Sequence, residues 1–291
     1  MLKLQHALQH TLLAASFKLA KQVRASWGRL DRPVFIIGCG RSGTTILGET
    51  LSKHPALVYL NEPRPLWVND PRTDVWSPAA RERGGRLRLA ADDAHPDAQR
   101  TLQQAFAFAL FGQPGSRMVE KLPINSFRVG YIDRLFPDAL FIHLVRNGVE
   151  VAQSIAKETQ KYDWFGHEDY KWNLLAAEAS GRGLGDLAAL CDGDNALRGL
   201  LEWRLSVTQA LESLGTLPEA RWMQVRYEAL TQDPEPVCAR LQDFIGVPVD
   251  AGVQDSARGH IARRTSPADM AVLPPTMRRI GGELLQQLGY L

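Results

Sequence analysis

The chain has 291 residues, 45% of them hydrophobic, enough to build the packed core of one large domain or two small ones. Its 34 basic and 32 acidic side chains leave a net charge of only +2, so the polycationic signature of a nucleic-acid binder is missing and no nucleic-acid partner is expected. Three cysteines without metal-ligand spacing (Cys39, Cys191, Cys238) argue against a disulfide framework and for a reducing, cytoplasmic setting, and no apolar run approaches the roughly 18 residues needed to cross a bilayer.

Residues 1–30 come first. They carry Lys3, Lys18, Lys21, Arg24 and Arg29 and no acid, while Leu4, Leu8, Leu12, Ala15, Leu19 and Val23 recur at helical spacing. The stretch lacks the continuous apolar core of a secretory signal. It is expected to form an amphipathic helical extension. Three uses are open: docking on its own domain or a second copy, peripheral contact with a membrane surface, or service as a transit peptide.

From residue 31 onward, apolar β-branched runs alternate with helical patterns. Strands are expected at 34–37, 57–60, 117–120, 140–145 and 222–225, and helices at 44–52, 99–111, 127–135, 149–158, 200–213, 236–244 and 275–288. Such alternation specifies an α/β fold of three layers, a mostly parallel sheet flanked by helices. Right-handed crossovers then gather the loops after each strand on one edge, where ligands bind. Two long segments, near 64–100 and 159–195, break the rhythm and are expected as irregular insertions within one domain, 31–291.

Four features fall at predicted strand ends. The first is Pro33-Val-Phe-Ile-Ile-Gly-Cys-Gly-Arg-Ser-Gly-Thr-Thr45, a strand, a glycine-rich turn and a helix start. Successive N–H groups in that arrangement cradle an anion. Gly38 and Gly43 have the spacing of a nucleoside-triphosphate loop, yet the lysine slot holds Thr44 and the cation is Arg41. The second and third are Asn61-Glu62-Pro63-Arg64 and Glu120-Lys121-Leu122-Pro123. The fourth is Arg146-Asn147-Gly148, with Ser154 two turns into the next helix, a pairing that suits a phosphate monoester. Two anion sites on one sheet edge point to a nucleotide phosphorylated at two positions.

Singly, these residues have ordinary readings too. Glu62 can be a solvated loop residue, Lys121 and Arg146 surface ion-pair partners, Ser154 a helix-face serine and Tyr227 a core aromatic. His143, inside a buried strand, reads as a core histidine.

Together, the first loop, the 120–154 stretch and Val225-Arg-Tyr-Glu-Ala-Leu-Thr-Gln-Asp-Pro234 resemble the sulfotransferases that use 3′-phosphoadenosine 5′-phosphosulfate, in their bacterial and tyrosylprotein-type branch. The resemblance runs from about residue 33 to the C-terminus and implies a phosphate-loop-like fold and metal-free, in-line sulfuryl transfer. It implies that Gly40, Arg41, Ser42, Gly43, Thr44 and Thr45 wrap the 5′-phosphosulfate, that Arg146 and Ser154 hold the 3′-phosphate, and that Tyr227 lies near the adenine. It further implies Glu62 as catalytic base, Lys121 and Arg41 as cations at the transferring group, and Arg264, next to Arg263, in a loop closing over the nucleotide. Where the family has Asp-Gly-Arg after the arginine, this chain has Asn147-Gly148-Val149, which removes one ionic contact. A carbohydrate or glycolipid hydroxyl is the expected acceptor, from the branch resemblance, the aromatic cluster of residues 162–172 and the basic run of residues 81–88. The rival readings are a small-molecule kinase, which needs Mg²⁺ and a loop lysine, and a non-catalytic nucleotide-binding protein.

Overall fold

Five short strands lie side by side, all parallel: β1 (Val34–Ile37), β2 (Leu57–Asn61), β3 (Arg117–Lys121), β4 (Leu140–Val145) and β5 (Trp222–Arg226), in the order β2-β3-β1-β4-β5. The computed structural model describes residues 30–261 and 273–291. Of the expected helical extension of residues 1–30, residues 1–29 lie outside the described residues, as do Arg263 and Arg264.

Each strand lands within one residue of its expected limits, and β1 and β4, buried along their whole length, are the near-continuous apolar runs that a sheet covered on both faces demands. Alternate side chains feed two separate cores. Phe35, Ile37 and Phe141 point into the larger one, while Val34, Ile36, Ile142 and Leu144 point into the smaller. Val34 pairs with Val119 of β3 on one side and Leu140 of β4 on the other, so β1 is the central strand.

Twelve helices follow among the described residues: α1 (Thr44–Leu51), α2 (Arg64–Trp67), α3 (Pro96–Leu110), α4 (Val129–Leu135), α5 (Gly148–Thr159), α6 (Tyr170–Gly181), α7 (Gly185–Leu190), α8 (Asn195–Leu214), α9 (Tyr227–Gln232), α10 (Pro234–Ile245), α11 (Ala251–Ser256) and α12 (Pro275–Gln287). Leu47 and Leu51 of α1 and Val237, Leu241 and Ile245 of α10 seal the smaller core. Phe106 of α3, Ile155 of α5 and Leu200 and Trp203 of α8 seal the larger. The chain leaves β1 toward β2, returns through β3, then crosses to β4. The order therefore reverses at β1, and a crevice opens at the carboxyl ends of the strands beside it.

The two insertions differ from one another. Residues 159–195, expected to be irregular, contain α6 and α7. Trp172, Leu175 and Ala179 are buried along one stripe of α6, a period masked in the sequence by neighbouring aromatics and glycines. Residues 64–95 are mostly turns held by charge. Asp70 accepts from Arg72 and from the Tyr131 hydroxyl at 2.6 Å, and the fully buried Arg128 donates to the carbonyls of Thr73 and Arg86. The basic run of residues 81–88 is largely used internally: Arg83 pairs with Asp74, Arg86 with Asp93, and Arg81 lies over the Tyr170 ring.

Candidate active site

The glycine-rich turn joins β1 to α1. Arg41 (φ 72°) and Gly43 (φ 93°) both adopt the left-handed conformation that coils the backbone inward. Gly38 N–H donates to Ser126 Oγ and Ser42 N–H to the Cys39 carbonyl. The N–H groups of the first turn of α1, beginning at Thr44 and Thr45, have no helical carbonyl ahead of them. The Ser42 hydroxyl is buried and has no hydrogen-bond partner. An added Cβ on Gly43 would stand 2.5 Å from the Tyr227 ring, so this aromatic packs directly on the turn.

Arg146 ends β4. Its guanidinium lies 4.4 Å from the Tyr227 ring centroid, donates to Glu150 from Nε (3.0 Å) and Nη2 (2.6 Å), and reaches the Arg41 carbonyl from Nη1 (3.1 Å). Arg41 in turn donates from Nε to Ser154 Oγ at 3.0 Å and lies 3.5 Å from Glu158. The loop and the Arg146–Ser154 pair therefore adjoin. Arg41 is grouped here with Ser154, and no contact links it to Lys121. Asn147 replaces the missing ionic contact with structure: its side chain caps α5 by accepting from Val149 N–H, and its own N–H donates to Glu228 of α9. That bond ties the fourth motif to the 225–234 stretch.

The ends of β2 and β3 form a second cluster. Glu62 also has a left-handed backbone (φ 46°), and its N–H donates to the Lys121 carbonyl at 2.7 Å. Its carboxylate takes Lys121 Nζ on one oxygen and Arg64 Nη2 on the other, each at 2.8 Å. Burial raises the Glu62 pKa, but the two cations outweigh it and hold the group at about 2. Strained non-glycine backbone at Arg41 and Glu62 is of the kind that gathers at functional sites. Next to Lys121, the fully buried Glu120 accepts from Trp67 Nε1 at 2.7 Å, and desolvation pushes its pKa up to about 8. His143, buried inside β4, is held neutral by desolvation, which lowers its pKa to about 4.

Glu62 faces a cavity of about 350 Å³ walled by Arg64, Trp76, Pro123, Tyr162 and Trp164. Trp164 ties the cavity to the turn, because a Cβ on Gly40 would meet its ring at 2.7 Å. Its indole N–H donates to Glu202 of α8 at 2.9 Å, and Glu202 is paired at 2.7 Å with the buried Lys171 of α6. Within the expected aromatic cluster, Phe165 and Trp172 are instead core residues.

Sequence reasoning passed over Glu150, Trp164, Lys171 and Glu202 as site residues. Glu150 has a legible signal in its position four residues after Arg146 on a helix, and Trp164 in the aromatic cluster of residues 162–172. The cradle, with its buried unpartnered hydroxyl and a nearby arginine, fits a nucleotide carrying phosphate groups at two positions.

Comparison with known proteins identifies the family. The sequence model of the sulfotransferase family matches residues 33–251. An uncharacterised protein of Aquifex aeolicus is 25% identical over 253 residues, 83% of this chain and 29% of that protein. Human protein-tyrosine sulfotransferase 1 is 28% identical over 152 residues, 49% of this chain and 40% of that one. The chain thus spans less than half the length of both relatives. Among solved structures, a sulfotransferase domain from the curacin biosynthetic pathway superposes with a TM-score of 0.54 at 19% identity, covering 91% of this chain and 99% of the other. A sulfotransferase of Mycobacterium tuberculosis gives 0.55 at 16% identity, covering 96% and 83%. At these identities the structural likeness speaks for the fold.

Proposed function

The chain belongs to the sulfotransferase family, and on that footing we propose that it transfers a sulfuryl group from 3′-phosphoadenosine 5′-phosphosulfate to a hydroxyl held in the aromatic cavity. One observation carries the reading. The glycine turn and the Arg146–Ser154 pair are joined through Arg41, while the Glu62–Lys121 pair stands at the ends of neighbouring strands on the same edge.

When bound, the donor supplies a sulfur–oxygen bond whose leaving oxygen belongs to a phosphate. The N–H groups of Gly40, Arg41, Gly43, Thr44 and Thr45 and the Ser42 hydroxyl hold the 5′ end. Arg146 and Ser154 hold the 3′-phosphate, and Tyr227, packed on both Gly43 and Arg146, borders the base. Lys121 neutralises charge that gathers on the leaving oxygen, with Arg41 as the second cation of the loop; no metal is needed for that role. Glu62 takes the acceptor's proton. Each of its oxygens keeps a free lone pair beyond the one bonded to Lys121 or Arg64. A carboxylate with a pKa of about 2 is a weak base, so proton transfer comes late, once the forming O–S bond has acidified the hydroxyl.

For the acceptor, the flat walls of Trp76, Tyr162 and Trp164 favour a hydroxyl borne on a ring, with a sugar or glycolipid ring as the first reading. A tyrosyl hydroxyl is the second, supported by the similarity to human protein-tyrosine sulfotransferase 1. An acidic glycan loses support, since Arg83 and Arg86 are bound internally. The test is incubation with sulfur-35-labelled donor and separate panels of saccharides and tyrosine peptides. Label on saccharides is expected. Label on peptides alone moves the acceptor to tyrosine, and transfer to neither panel without donor turnover rejects the activity.

A further inference from the structure

Helix α5 carries Glu150, Ser154 and Glu158 at four-residue spacing, which places them in line along one face. That face meets both arginines of the site: Glu150 binds Arg146, while Ser154 and Glu158 contact Arg41. The setting of Arg146 is unusually complete. A guanidinium offers five N–H donors in one plane. Here Nε and Nη2 each donate to Glu150 Oε2, Nη1 donates to the Arg41 carbonyl, and one face is closed by the Tyr227 ring. Three donors are engaged, which leaves one N–H on each terminal nitrogen and a plane already fixed.

We propose that Glu150 is the positioning residue that sets Arg146 for the nucleotide's 3′-phosphate, and so makes the site select 3′-phosphorylated nucleotides over their 5′-monophosphate counterparts. The proposal rests on the placement of the 3′-phosphate at Arg146 given above. An arginine on a flexible stem loses rotamer freedom when it grips an anion, and a guanidinium already fixed by a carboxylate has lost it beforehand. The Glu150 charge also repels a phosphate, but its carboxylate is spent on a short two-donor contact with Arg146, which leaves a neutral, aligned pair rather than a free anion. A 5′-monophosphate uses the glycine turn and the base site beside Tyr227 but places no phosphate on Arg146, so it depends far less on this alignment.

The experiment is calorimetric titration of the full chain, and of its Glu150→Gln and Glu150→Asp variants, with adenosine 3′,5′-bisphosphate and with adenosine 5′-monophosphate. Thermal unfolding of each variant checks its folding. The unaltered chain is expected to prefer the bisphosphate. Glu150→Gln should cut that preference by about tenfold or more, with the bisphosphate losing far more affinity than the monophosphate. Glu150→Asp, which keeps the charge, should fall between the two and so tests the idea alone if the glutamine variant does not fold. A preference unchanged in Glu150→Gln overturns the proposal, and an increased one makes Glu150 a competitor of the phosphate. If the unaltered chain shows no preference for the bisphosphate, the 3′-phosphate placement itself fails.

Discussion

Arg41 and Ser154, 113 residues apart in the chain, are joined by a hydrogen bond of 3.0 Å from Nε to Oγ. The parallel sheet makes this contact: β1 and β4 are parallel neighbours, β4 running two residues past the partner of Ile37, so the turn after one and the helix after the other open on the same crevice. A ligand gripping the turn and the helix together needs no domain movement to find both.

Removing Arg146 tests that shared grip. Arg146→Ala should weaken binding of adenosine 3′,5′-bisphosphate by on the order of 2–5 kcal/mol, as for a partly buried charge pair. Ser154→Ala should cost about 1–2 kcal/mol. Calorimetry reads both, and unchanged affinity in Arg146→Ala puts the 3′-phosphate elsewhere.

Glu62→Gln should lower turnover by ~10²–10⁴-fold while leaving bisphosphate affinity intact. The substitution keeps an oxygen toward Lys121, whose side chain is only 2% exposed, but removes the charge that offsets it. Thermal unfolding therefore has to accompany the rate measurement. Full activity in a folded variant rejects Glu62 as the base.

The carboxylates also set the pH response. Glu62 has a folded pKa of about 2, below its ordinary value of 4.5, so its contribution to stability is present above pH 4.5 and is lost as pH falls from there through 2. Acid unfolding of Glu62→Gln should be less steep across that window. Glu120 has the opposite sign: with a folded pKa of about 8, its contribution is present below pH 4.5 and is lost as pH rises through 8. Glu120→Gln should flatten the fall in melting temperature between those limits and raise it at pH 8. A variant that tracks the unaltered chain across either window contradicts the corresponding assignment.

The sheet was readable in advance because five short strand-like stretches, each four to six residues long and each followed by punctuation, alternate with helical patterns and leave little choice of fold. The strand-end motifs were readable for the same reason, since in a parallel sheet the end of a strand is an address. Glu62 was visible mainly through the family resemblance, because a glutamate before a proline carries no signal of its own. The departure at Asn147 was read as a lost contact, and the fold shows that the residue caps α5 and binds Glu228. Trp164 is visible in the aromatic cluster, but its link to Glu202 and Lys171 is not. The three come from a loop, α8 and α6, and only tertiary packing brings them together.

Gly43 tests the turn. Its left-handed φ of 93° opposes a side chain there, and so does the Tyr227 ring, which would lie 2.5 Å from the added Cβ. Gly43→Ala should cost about 1–3 kcal/mol of stability and abolish detectable nucleotide binding. Gly84→Ala is the control: φ is 66° there too, but nothing lies within 4 Å of its Cβ position. Equal effects at both positions would mean that backbone strain alone matters and that Tyr227 does not press on the turn.

In the proposed mechanism one doubly phosphorylated adenosine spans the turn and the Arg146–Ser154 pair. Calorimetric titration of the full chain with adenosine 3′,5′-bisphosphate, and separately with ATP and Mg²⁺, tests it most directly. The bisphosphate should bind at one per chain and at least about tenfold more tightly than ATP. Binding of ATP with Mg²⁺ that equals or exceeds that of the bisphosphate would contradict the account and favour a kinase.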